Sequence, residues 1–372
     1  MSGTSLDGID VAICEIGGTG RSLSQRLVAF ESVAFEPEMR ERLLTASAGA
    51  MMLRQAFELE AELGLAYAAA IVATIADAGI DELDAVGLHG QTVYHAPAHQ
   101  PAGLTVQLAG AATVAARVGA IVVSDFRAAD VAVGGQGAPL VPYCDLVLLG
   151  SDRVDRIALN IGGIANLTWL PRGATAERLV AFDTGPGNML VDAAMRALYG
   201  RDYDASGAIA ASGTVDRAWL EQMVESEPYF AAPAPKSTGR ELFGEERAHG
   251  LVVDGVARGV DSASIIATLT ALTAATIARS ARHVAGDAAI DEVVVGGGGA
   301  RNDTLMRMLA EELPSSRVFS GDEVGVPADA KEAVCFAILA NEALLETPAN
   351  VPSVTGARSH VVCGAIHLPP RT

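Results

Sequence analysis

With 372 residues, half of them apolar and only 5% aromatic, the chain suits two domains with cores of Ala, Val, Leu and Ile. A formal net charge of −19 excludes nucleic acid and anionic membrane as partners, because phosphate surfaces need clustered Lys and Arg. It leaves room for a small anionic substrate met by backbone N–H groups and a few local cations.

The first residues, Met1 to Gly8, are rich in glycine and hydroxyls, without the basic and apolar regions of a signal peptide. Ile9 to Ile16 alternates as a strand, and the turn Gly17 to Gly20 leads into a second candidate, Leu27 to Val33, which predicts an antiparallel hairpin. Residues 38–48 and 54–78 read as helices, and 84–94 as a strand running into a polar loop. A short strand at 103–108, a helix at 109–118 and an apolar strand ending in charges at 120–127 follow.

From 156 the order begins again: strand 156–160, a glycine turn, strand 167–170, strand 179–182, then a helix at 189–199. Helices at 218–225 and 262–285, a buried strand at 292–295 and helices at 303–313 and 330–345 complete the pattern. Residues 228–242, with three prolines, read as a long loop. The repeated order predicts a duplicated α/β fold with a cleft between its halves. The long apolar stretches 63–80 and 263–278 are interrupted by Asp77 and by threonines, as in buried helices rather than membrane spans. The four cysteines (Cys14, Cys144, Cys335, Cys363) lack metal-ligand spacing and suit a reducing, cytoplasmic compartment.

Several short stretches carry chemistry, each with a bland alternative. Val180 to Asn188 delivers one carboxylate, Asp183, to a strand end before a Thr-Gly-Pro-Gly turn and a helix; it is either a catalytic acid or a turn aspartate. Gly3 to Asp10 has the chemistry of a phosphate loop, with Asp7 placed to hold magnesium through water; a frayed terminus is the alternative. Asn160, Gly162 and Gly163 form a second glycine turn, or an ordinary hairpin. Gly296 to Gly299 end a buried strand and suit a flat ligand such as adenosine. Asn302 stands where the third Gly of a dinucleotide fingerprint would fall, and no P-loop motif occurs.

His89 and His95 suit no common metal motif; they either hydrogen-bond a polar ligand or lie on the surface. Arg127, before the Gly134 to Pro142 loop, is a bidentate partner for a substrate carboxylate or for Asp125 or Asp130. Lys236 belongs to a loop with Arg240 that is otherwise a solvated charge cluster. Glu332 opens an apolar helix, where a glutamate favours the helix dipole whatever its function.

Taken together, residues 1–10 (MSGTSLDGID), 89–92 (HGQT), 125–127 (DFR), 134–142 (GGQGAPLVP), 160–166 (NIGGIAN), 182–188 (FDTGPGN) and 236–241 (KSTGRE) follow the order seen in anhydro-N-acetylmuramic acid kinases. The chain resembles that family along nearly its whole length. The resemblance implies two RNase H-like domains of the actin-like ATPase type around an interdomain cleft. Expected bounds are 1–128 plus about 350–372, and 129–349. It also implies ATP and Mg2+ as cofactors and a homodimer, with an anhydro amino sugar as the small-molecule partner.

The same resemblance distributes roles. Gly3, Thr4, Ser5, Leu6, Asp7, Gly8, Ile9 and Asp10 would form the first phosphate loop; Asn160, Gly162 and Gly163 the second; and Gly296, Gly297, Gly298 and Gly299 the adenosine site. His89, Gln91, Arg127 and Lys236 would bind the sugar, Arg127 through its lactyl carboxylate. Asp183 would be the base that activates water against the anomeric carbon, with Glu332 assisting, while the released O6 takes the γ-phosphoryl group. Family members carry a few apolar residues ahead of MSGT. Either the strand they form is missing or the start has been placed too late, and losing it would leave residues 9–16 without a pairing neighbour and loosen the phosphate loop. Two rivals stand beside this reading: a kinase for an ordinary hexose hydroxyl or acetate on the same scaffold, and a nucleotide-gated interaction protein.

Overall fold

A computed structural model describes residues 1–3 and 6–371. The chain divides into two compact units, residues 1–148 with 330–372, and residues 149–329. The divisions fall away from 128 and 350, the bounds expected from sequence. Helix Lys331–Leu344 packs on the strands of the first unit, which draws that stretch out of the second.

In the first unit, β1 (Gly8–Gly17) and β2 (Ser24–Ala34) form the expected antiparallel hairpin, register Gly8 to Ala34 through Gly17 to Ser24. Residues 9–16 therefore have β2 as a pairing neighbour. Alternation explains the strand: Ile9, Val11 and Ile13 turn inward and are buried. β3 (Ala85–Leu88) pairs in parallel with β6 (Ile121–Ser124). β4 (Gln91–Ala96) and β5 (Leu104–Leu108) make a separate ladder, so the polar stretch expected as a loop after residue 90 is a strand. A groove of about 490 Å³ separates β1 from β3, lined by Ile9 to Ile16 on one side and Ala85 to Leu88 on the other. Among the described residues the first unit thus has three separate sheets rather than the single continuous one that a duplicated fold predicts.

The second unit holds that sheet. β7 (Arg156–Ile161), β8 (Ile164–Leu170) and β9 (Val180–Pro186) are an antiparallel meander. β10 (Glu292–Gly296) and β11 (Arg317–Ser320) add in parallel beside β7, giving the order β11-β10-β7-β8-β9. Helices Met189–Tyr199, Ser262–Ala285 and Asp303–Glu312 bury their apolar faces around Ile157, Leu159, Val293 and Val295. A last short strand, β12 (Ala365–His367), returns to the first unit and pairs with β6.

Leu53–Asp77 and Ser262–Ala285 are long and apolar enough to cross a membrane. The apolar window of Ser262–Ala285 is 78% buried inside the protein, as befits a core helix, and that of Leu53–Asp77 is 44% buried. Cys144, Cys335 and Cys363 are buried, Cys14 is half-buried, and all four are free thiols.

Candidate active site

The second unit gathers four of the sequence motifs, residues 160–166, 182–188, 236–241 and 296–299. Gly296 is paired with Asn160, so the Gly162–Gly163 turn and the Gly296–Gly299 run lie at the same ends of adjacent parallel strands. Ligands of open α/β sheets bind at such strand ends. The turn after β9 joins them: Asn188 N–H donates to the Gly162 carbonyl at 2.8 Å and Gly187 N–H to the Gly163 carbonyl at 2.9 Å. Thr273 of the core helix fixes the Gly187 carbonyl at 2.8 Å. Gly297 has φ +76°, and a Cβ there would stand 2.7 Å from Asn160 Oδ1 and 2.8 Å from the Ile161 carbonyl. Only glycine lets these two turns touch. Around Gly162 and Gly298, by contrast, a Cβ would meet nothing closer than 3.6 Å, which leaves bare backbone for a flat ligand.

Asp183 sits within β9 rather than at a strand end. The Thr184-Gly185-Pro186 stretch that reads as a turn continues the ladder, with Gly185 opposite Ala165 and Pro186 opposite Ile164. Beyond Asp183, the 229–238 segment covers the free edge of β9. Asp183 N–H donates to the Lys236 carbonyl at 3.2 Å, and the Tyr229 hydroxyl donates to the Asp183 carbonyl at 2.7 Å. The Asp183 carboxylate accepts from Thr238 N–H at 3.0 Å. Burial pushes the Asp183 carboxyl above its ordinary value, the Thr238 N–H opposes this, and Glu241 adds repulsion. A carboxylate so held is suited to general-base work.

Lys236 contributes its backbone here. Its ammonium lies over the Tyr229 ring at 4.6 Å and the Phe182 ring at 5.6 Å, and donates to the Tyr229 carbonyl at 2.9 Å. Of the other groups that touch Asp183, Thr238 lies in the 236–241 motif without a role assigned to it, and Tyr229 was not singled out from sequence. The Pro-rich loop gives no periodic signal that would mark them.

The first unit carries the remaining motifs. Arg127 donates through Nε and Nη2 to His89 Nε2, at 3.1 and 2.9 Å, and through Nη1 to the Gly137 carbonyl at 2.8 Å. It pairs with neither Asp125 nor Asp130. The fully buried Asp130 carboxylate instead accepts from Gly137 N–H at 2.7 Å, Asn350 Nδ2 at 2.8 Å and Thr355 Oγ1 at 2.8 Å. Glu332 neighbours Arg127, Asp10 and the Met1 amine; desolvation raises its carboxyl, and Arg127 and Lys331 pull it back down.

Gln91 is buried and donates to the Gly3 carbonyl at 3.1 Å, tying the HGQT motif to the N-terminal loop; its Oε1 has no partner among the described residues. His95 is exposed on β4 and bonded to Thr105. In the N-terminal loop, Leu6 and Ile9 bury their side chains in the core, so only their backbone is available to a phosphate. The Asp10 carboxylate accepts from Ser32 Oγ at 2.7 Å. Thr4 and Ser5, expected in the same loop, lie outside the described residues. Asp7 is exposed, and no three His, Cys, Asp or Glu residues converge among the described residues. That donor set fits magnesium shared with nucleotide phosphates and water, rather than a cage made of protein ligands.

Residues 1–369 match the family described as anhydro-N-acetylmuramic acid kinase. A protein of that name from Salinibacter ruber is 43% identical over 378 residues, covering 99% of this chain and 95% of its own. One from Synechococcus elongatus is 43% identical, covering 98% and 97%. Among solved structures, an activator of 2-hydroxyisocaproyl-CoA dehydratase from Clostridium difficile gives a TM-score of 0.42 at 13% identity, covering 91% of this chain and 98% of that one. This last likeness is too slight to carry an argument. The match over nearly the whole chain, repeated in relatives covered over nearly their whole length, shows that the chain belongs to the anhydro-N-acetylmuramic acid kinase family of phosphotransferases.

Proposed function

We propose that the protein opens the 1,6-anhydro ring of 1,6-anhydro-N-acetylmuramate with water and transfers the γ-phosphoryl group of ATP to O6, giving N-acetylmuramate 6-phosphate and ADP. The observation that carries this reading is Asp183, a half-buried carboxylate of raised pKa in the unit that holds the paired glycine turns.

In this reading Asp183 takes a proton from the water that attacks the anomeric carbon. The C1–O bond of the bridge breaks, its electron pair stays on O6, and O6 attacks the γ-phosphorus. A glycosidase would need a second carboxyl group to protonate that oxygen; the incoming phosphoryl group serves in its place. Thr238 N–H keeps the carboxylate oriented, and Glu332 helps to order the water. Backbone N–H groups of the glycine turns at 162–163 and 297–299 receive the nucleotide, as does the N-terminal loop. Arg127 holds the lactyl carboxylate. Magnesium, held by Asp7 through water, would neutralise charge on the phosphates. A homodimer working in the cytoplasm on cell-wall sugar belongs to the same reading.

Reaction in water enriched in heavy oxygen tests it. Label is expected at C1 of the sugar phosphate. Unlabelled product, or phosphorylation of an ordinary hexose in preference, would point to a simple hydroxyl kinase. Asp183→Asn should lower kcat by at least about 100-fold with nucleotide binding intact; near-normal turnover would remove Asp183 as the base.

A further inference from the structure

We propose that His89 is a positioning residue for Arg127 rather than a ligand for the sugar: a neutral imidazole, anchored on one side, that aims the guanidinium. The proposal rests on the reading of Arg127 as the carboxylate grip.

The hydrogen-bond pattern assigns the tautomer. His89 Nδ1 lies 2.7 Å from the Gly90 carbonyl, which only accepts, so Nδ1 carries the proton. Nε2 receives two N–H groups of Arg127, at 3.1 and 2.9 Å, and arginine has no acceptor to offer in return. Both ring nitrogens are therefore occupied, which leaves none for a substrate hydroxyl. His89 is 4% exposed and its ring rests against Phe336, with centroids 4.6 Å apart. Gly90 makes the anchor available: its φ is +74°, and a Cβ there would stand 2.7 Å from the Leu108 carbonyl. Burial and the Arg127 charge lower the His89 pKa to about 3, so the ring stays neutral at any working pH.

Arg127 is held from its other side as well. Its Nη1 donates to the Gly137 carbonyl, and the Gly137 amide is in turn fixed by the buried Asp130 carboxylate. Of the five guanidinium N–H groups, these three contacts leave two, one on each terminal nitrogen. That pair is what a carboxylate takes from an arginine immobilised beforehand.

The test is a double-mutant cycle on the full chain, with steady-state kinetics on 1,6-anhydro-N-acetylmuramate and on the same anhydro sugar lacking the lactyl group. His89→Ala is expected to raise KM for the lactyl sugar about 10-fold and to leave KM for the other within about twofold. In an Arg127→Ala background, His89→Ala should add less than about twofold, because its effect is already lost. His89→Gln, whose carbonyl oxygen can accept from Arg127, should recover most of the wild-type KM. An equal His89→Ala effect with and without Arg127, or on both sugars, would overturn the positioning role. The underlying reading fails separately, if Arg127→Ala alone does not distinguish the two sugars. Thermal melting of each variant identifies any that fail to fold, and His89→Gln carries the test if His89→Ala does.

Discussion

His89 has a consequence for stability as well as for aim. In the unfolded chain an imidazole titrates near 6.5, whereas in the folded protein burial and Arg127 hold it at about 3. Below pH 6.5 the unfolded chain gains a proton that the folded chain refuses. Stability from this residue is thus complete above 6.5 and declines as pH falls, by at most about 1.4 kcal/mol per pH unit. The Met1 amine, lowered to about 6 by burial, pushes in the same direction. It is present in wild type and His89→Gln alike, so their difference isolates the ring. Urea unfolding should show wild type losing about 2 kcal/mol more than His89→Gln between pH 6.5 and 4.5. A gap that does not move with pH would mean that the folded state admits the proton.

At the scale of elements, local chemistry decided which parts of the chain announced themselves. Asn302 breaks the dinucleotide pattern and, in the structure, caps helix Asp303–Glu312, its Oδ1 accepting from Leu305 N–H at 2.9 Å. Asn302→Ala should cost about 1 kcal/mol in denaturant unfolding, and Asn302→Asp much less; equal losses would show that the cap is not what the residue supplies. Helix Ser262–Ala285, capped by Asp261, and helix Met189–Tyr199, which has a continuous apolar face and no side-chain cap, fall on the expected residues. Helix Glu245–Ala257 was missed, since Gly250 and Gly255 interrupt it and its paired valines suit a strand equally well. β4 was missed because Gln91 to Ala96 shows no apolar alternation, and β12 because three residues show no period. The glycine motifs were legible at once, because backbone that must turn or approach closely has few residue choices. Which residues pair with Asp183 and Arg127 was not, although His89 and the 236–241 stretch stand out in the sequence. Thr238 reaches Asp183 across 55 positions and His89 meets Arg127 across 38, separations at which no local pattern exists.

For the whole molecule, the net charge of −19 is the fact that nucleotide binding has to overcome. A protein without clustered Lys and Arg must receive phosphate through backbone N–H groups, which work only where the chain is held in a fixed, glycine-permitted shape. Order in the glycine turns is therefore a measurable signature of the nucleotide. Hydrogen exchange with a non-hydrolysable ATP analogue and magnesium should slow amides in 160–166, 187–189 and 296–301 of the second unit, and in 1–10 of the first. The lactyl sugar alone should instead slow 89–91 and 134–137, where Arg127, His89 and Asp130 converge. Ligand at 100 times its dissociation constant adds about 2.7 kcal/mol of stability, enough to be read as slowed opening. A nucleotide that raises the melting midpoint while leaving exchange at 160–166 and 296–301 unchanged would place its phosphates elsewhere. The pairing of β7 with β10 would then be architecture only.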